Sequence, residues 1–144
     1  MVGSDPHDLE RFVEAQESVI GDVKRELRSG RKRSHWVWFV FPQVAGLGRS
    51  DMARRYAIDS LAEARAYLAH PVLGPRLREC TDLVNDVDGR TANEIFGSPD
   101  DLKFRSSMTL FEAAADDPGP FQVALETYYD GERDPKTLDR LDAD

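Results

Sequence analysis

Apolar residues recur at helical spacing along most of this chain. Over 5–29, Leu9, Phe12, Val13, Val19, Ile20, Val23 and Leu27, with Gln16 on the same stripe, fall three and four apart between charged positions, and Gly30 follows. Such spacing predicts one amphipathic helix with a glycine stop. SLAE at 60–63 has the form of a capping box and predicts a helix to about Ala69, where His70-Pro71 breaks it. Leu73, Leu77, Cys80, Val84 and Val87 then mark one face of a helix ending near Asp88-Gly89. TANE at 91–94 repeats the capping pattern before a short turn closed by Gly97. Ser98-Pro99-Asp100-Asp101 predicts another start, with Ser98 as cap and Pro99 in the first turn, for a helix reaching Ala115. After the DDPGP loop at 116–120, Phe121–Tyr129 reads as helical, and Asp134-Pro135 opens a last short helix.

WVWFVF, residues 36–41, departs from this period. Its aromatic and β-branched residues suit a buried strand, while Ser34 as a cap and Pro42 as a stop suit a short buried helix. Without a second strand to pair with, the helix is the better reading. Two glycines and Ser50 then lead into a helix at about residue 50. The pattern as a whole predicts an all-α single domain over 1–144, a bundle of about six to eight short helices packed orthogonally, with 1–6 and 140–144 frayed. Phe12, Ile20, Leu77, Val84, Phe111 and Leu125 belong to its core, as do Phe39 and Phe41.

Composition narrows the function classes. No apolar run approaches the roughly 20 residues needed to cross a bilayer, and MVGSDPHDLE lacks the apolar stretch of a secretion signal, so no membrane role and a cytoplasmic location are expected. Cys80 is the sole cysteine, so no disulfide can form within the chain. Paired-histidine, H-E-x-x-H and calcium-loop spacings are missing, and neither a metal nor a cofactor is expected. Net charge is −8, yet residues 24–55 hold nine Lys or Arg against Glu26 and Asp51, a local +7. An acidic remainder would repel a long nucleic acid, whereas a small anion held at one place fits. The expected state is a monomer or weak dimer.

GRKRSHWVWFVFPQVAGLGRS, YAIDSLAEARAYLAHPVLGPRL and IFGSPDDLKFRSSMTLF together resemble an uncharacterised bacterial family, domain of unknown function 1810, over about Leu9 to Leu138. That resemblance implies a compact, mainly helical cytosolic protein and no established activity. The calpastatin label some members carry implies an extended, disordered inhibitor, which this core pattern does not fit.

Two constellations carry candidate chemistry. In the first, Arg31, Lys32 and Arg33 precede His35: guanidinium groups bind phosphate or carboxylate through paired hydrogen bonds, and an imidazole titrates near neutrality. Trp36 is a candidate ring to cover a flat ligand, though of Trp36 and Trp38 one belongs to the core. Gln43 stands at the mouth of the Gly46/Gly48 loop. In the second, Lys103, Arg105, Ser106, Ser107 and Thr109 crowd cations and hydroxyls into a helix that would favour alanine or leucine. Close packing of small side chains explains that as readily as a ligand does. A serine nucleophile lacks its G-x-S-x-G elbow, which leaves His35 and Ser106 as weak catalytic candidates. Convergence of both constellations would suit a nucleotide-like or phosphorylated ligand, or an enzyme acting on an N-glycosidic or ADP-ribose-type compound. The alternative is a non-enzymatic interaction module that docks an acidic partner on 24–55.

Overall fold

Helices α1 (Glu10–Glu17) and α2 (Ile20–Arg28) occupy the stretch where the pattern predicts a single helix. The computed structural model describes residues 5–142, so the fraying expected of 1–4 and 143–144 lies outside it. A turn at Ser18-Val19 separates the two helices, and Phe12, Val23 and Leu27 all end buried. Ser18 and Gly21, weak helix formers, flank the break, and Ile20, beside it, is only partly buried. Gln16 is buried because its amide nitrogen donates to the Phe39 carbonyl at 2.6 Å and to the Tyr67 hydroxyl at 3.1 Å. Ahead of α1, the Asp5 carboxylate accepts from the amides of Leu9 and Glu10.

Eight more helices follow: α3 (Val37–Val40), α4 (Asp51–Arg55), α5 (Leu61–Ala69), α6 (Leu73–Asn85), α7 (Ala92–Phe96), α8 (Asp100–Ala114), α9 (Gly119–Tyr129) and α10 (Pro135–Asp142). The ten helices among the described residues exceed the expected six to eight because α1 and α2 are separate and because four- and five-residue turns close as helices. The last of them ends at Asp142. WVWFVF is helical at its centre; the extended pairing among the described residues is one isolated parallel bridge, Val44 to Ile58.

Helix α8 runs through the middle, with α3, α5, α7, α9 and α10 packed against it. Phe104 on its inner face meets Phe41 at 4.9 Å between centroids and stacks on Phe96 at 4.6 Å. Phe41, Phe104 and Phe111 are fully buried and Phe39 nearly so. Aromatic area of this kind dominates core energetics.

Capping follows the sequence in places and departs from it in others. Thr91 and Glu94 complete a reciprocal capping box on α7. Ser60 accepts from the Glu63 amide, but the Glu63 carboxylate turns instead to the Asp59 amide and to Arg11 at 3.0 Å. Ser98 does not cap α8: Pro99 takes the cap position, and no side chain bonds there. Between α5 and α6, His70 Nδ1 accepts from the amides of Val72 and Leu73. Gly74 makes that corner possible, since a Cβ there would stand 2.1 Å from the Leu68 carbonyl oxygen. Cys80 is buried, and that burial pushes its thiol up to about 12, which makes it an inert core residue.

Candidate functional site

Glu26, at the end of α2, organises the first constellation. Its carboxylate accepts from the Arg33 and Ser34 amides at 2.6 and 2.9 Å, from the Ser34 hydroxyl at 2.7 Å and from Trp36 Nε1 at 3.0 Å. Ser34 therefore serves Glu26 and does not cap α3. Partial burial opposes the charge, but the bonds from Ser34, Arg33 and Trp36 outweigh it and hold the Glu26 carboxyl at about 2. Pinned this way, the segment turns Trp36 inward, where it is 1% exposed, so Trp36 is core and not the ring that covers a ligand. Arg31, Arg33 and His35 stay exposed in solvent.

Lys32 leaves that group. Its amide donates to the Ile95 carbonyl at 2.7 Å, and its ammonium lies 2.7 Å from one Asp100 carboxylate oxygen. The other oxygen lies 3.2 Å from Lys103 Nζ. One carboxylate thus joins the two constellations, Lys32 from the first and Lys103 from the second. Each ammonium also stands over an indole, Lys32 above Trp36 at 5.4 Å and Lys103 above Trp38 at 4.8 Å.

The hydroxyls of α8 hold the start of α10. Thr109 Oγ1 donates back to the Arg105 carbonyl and accepts from the Asp134 amide, both at 2.9 Å. Ser106 Oγ lies 3.0 Å from Asp134 Oδ2, which also accepts from the Thr137 amide and hydroxyl. Arg105 donates through Nε to the Glu132 carbonyl and through Nη2 to that of Arg133, each at 2.9 Å. The polar residues that looked out of place in a helix are the ties to the segment that follows α9. Ser107 differs: it is fully buried, and its hydroxyl has no protein partner.

Between α8, the start of α10 and the 43–48 loop lies a cavity of about 410 Å³. Gln43, Lys103, Arg105 and Ser106 line it together with Leu47, Gly48, Pro99, Leu102, Asp134, Pro135 and Lys136. Four sequence candidates from two distant segments meet there; Arg31, Lys32, His35, Trp36 and Ser107 are not part of its wall. A larger hollow of about 620 Å³ lies beside α1 and α4, but its five carboxylates, Asp8, Glu10, Glu14, Asp59 and Glu63, outnumber its three arginines, Arg11, Arg54 and Arg55. The carboxylates would repel an anion, and Arg11 is fully committed to Glu63 and to backbone carbonyls.

A family model described as "Protein of unknown function (DUF1810)" matches residues 6–141. The chain belongs to that family. Its fold is similar to the crystal structure of the conserved hypothetical protein Rv1873 from Mycobacterium tuberculosis, with a TM-score of 0.95 and 59% identity over 96% of this chain and 99% of that one. No curated protein matches the chain.

Several residues of this DUF1810 chain that shape the cavity carry little signal in sequence. Asp100 reads as an acid placed for the helix dipole, yet it is the counter-ion of two lysines. Asp134 reads as a helix start, which it is, and it also receives Ser106. Leu102 and Lys136 reveal themselves only by facing the same space. No described helix is long and apolar enough to span a membrane, and no cluster of three or more His, Cys, Asp or Glu among the described residues could hold a metal.

Proposed function

We propose that this protein binds a small anionic ligand, phosphorylated or carboxylated, in the cavity between α8, α10 and the 43–48 loop. The observation that carries this reading is the meeting of Gln43 with Lys103, Arg105 and Ser106 around one space of about 410 Å³. That volume is within the range of small-molecule sites, which combine apolar walls with a few placed polar groups. Gln43 lends an amide with no side-chain hydrogen bond to another described residue, and Lys136 an exposed ammonium with no ion pair among the described residues. A nucleotide-like compound is one member of this ligand class. A catalytic role has less support: Ser106 is bonded to Asp134, and His35 stands outside the cavity wall.

The test is calorimetric titration with inorganic phosphate, sugar phosphates and AMP. At least one should bind, and Lys103→Ala with Lys136→Ala should weaken it by more than tenfold while the helical circular dichroism persists. Unchanged affinity in the double variant would remove this cavity as the site.

A second reading has its own observation. Arg28, Arg31, Arg33, Arg49, Arg54 and Arg55 are exposed and form no ion pair among the described residues, which favours docking of an acidic protein on 24–55. Charge reversal at Arg31 and Arg33 should then abolish capture of an acidic model peptide and leave small-anion binding intact.

A further inference from the structure

We infer that the ligand of this cavity has an aliphatic body ending in one dianionic group, and that flat aromatic bodies are disfavoured. The inference rests on the cavity being the ligand site, and narrows what it takes. Its apolar lining is Leu47, Pro99, Leu102 and Pro135; no aromatic side chain is among the lining residues. Neither nearby indole can serve. Trp36 is buried, and Lys103 stands over the ring of Trp38. A base or nicotinamide would enter without a stacking partner, whereas a carbon chain would meet four saturated side chains.

Leu102 marks where that chain would lie. It is 56% exposed, the most exposed large apolar residue among those described, and it lines the cavity. One exposed leucine is ordinary, but an exposed leucine grouped with Leu47 and two prolines beside three cations is a surface built for a ligand with an apolar and an anionic end. The charge count sets the anionic end. Lys103, Arg105 and Lys136 share the lining with one carboxylate, Asp134, so the wall itself carries a net charge of +2. A phosphate monoester, near −2 at neutral pH, matches that sum. Asp100 tempers Lys103, and two carbonyls and the Glu132 carboxylate at 3.7 Å already engage Arg105, so Lys136 has the freest charge to offer.

The experiment is calorimetry on the full chain with inorganic phosphate, ethyl, butyl and hexyl phosphate, AMP, and hexanol as an uncharged control. Affinity should rise with chain length, reaching roughly tenfold above inorganic phosphate for hexyl phosphate, since two well-covered methylenes suffice for such a gain. AMP should bind more weakly than hexyl phosphate, and hexanol should not bind. Leu102→Ser should erase the gain from the chain and leave inorganic phosphate within about twofold; Lys136→Ala should weaken every phosphate. Because Leu102 is exposed, its substitution should leave the melting temperature nearly unchanged, and the chain-length series needs no variant. Phosphate binding with no gain from the chain, or AMP binding tighter than hexyl phosphate, would overturn the inference and leave the anion site standing. Failure of every phosphate to bind would overturn both, and binding of hexanol as tight as hexyl phosphate would reject the anionic end.

Discussion

The segments 31–36 and 103–109 use similar residues, cations beside small hydroxyls, to different ends. In the first, a single carboxylate, Glu26, gathers two amides, a hydroxyl and an indole, and the arginines are left facing water. In the second, Arg105, Ser106 and Thr109 each bind backbone or carboxylate groups of the α10 start, and the same face borders a cavity. Density of charge therefore says little about use. A cation in a loop can stay hydrated at small cost; one inside a packed helix must find partners, and those partners define the site.

The largest effect expected from disturbing this pair of regions lies beneath both. Phe41 adjoins Trp36 of the first segment and Phe104 of the second. Phe41→Ala should lower stability by about 3–5 kcal/mol in denaturant unfolding, and a loss under about 1 kcal/mol would show that the two regions do not share a core.

Next comes Asp134, the acceptor on which the second region depends. Asp134→Ala removes the carboxylate that accepts from the Thr137 amide and hydroxyl and leaves the Ser106 hydroxyl only the Leu102 carbonyl, for an expected loss of about 1–2 kcal/mol, with α10 amides exchanging faster in hydrogen-exchange measurements. Equal protection of α10 in both proteins would mean that the ties from α8 do not hold it.

Glu26 gives the first region a pH signature. Its carboxyl is lowered from its usual 4.5 to about 2 in the folded chain, so its contribution is complete above the usual value and is lost as pH falls from about 5 toward 2. Glu26→Gln should cost on the order of 1–2 kcal/mol at pH 7, less than the full shift implies because the group is partly solvated. The gap between variant and wild type should narrow across that acid window; a gap independent of pH would assign the loss to something other than the charge. Smallest of all, Arg31→Ala and Arg33→Ala should each change stability by less than about 0.5 kcal/mol, as exposed side chains without ion pairs do.

Helical periodicity made the core legible: Phe12, Leu77, Val84, Phe111 and Leu125 were readable from spacing alone, because each repeats on a face that only burial explains. The break at Ser18-Val19 escapes that reading because the apolar spacing continues across it, although Ser18 and Gly21, weak helix formers, flank it. The cavity was half legible. Lys103, Arg105 and Ser106 stood out as poor helix choices, and the same oddity also signalled the structural ties that proved to explain most of them. Trp36 misled because an indole beside cations suggests a platform, whereas Glu26, ten positions back, accepts its N–H and draws it inside. Leu102 and Lys136 gave no signal, because what distinguishes them is a neighbour brought close by folding.

Arg140 closes one side of this arrangement: its Nε donates to the Ala45 carbonyl across 95 positions of chain, and the guanidinium crosses Gly46 where a Cβ would come within 2.3 Å of Nη2. Gly46 also has a φ of +96°, so its replacement is strained by backbone and neighbour alike. The consequence is temporal. The pairing between the 43–48 loop and α10 closes one of the longest loops in the molecule, and Pro135 and Lys136 of α10 belong to the cavity wall, so loop-closure entropy should make completion of the wall a late step of folding. A refolding chain should therefore recover buried tryptophan fluorescence before it recovers the capacity to bind.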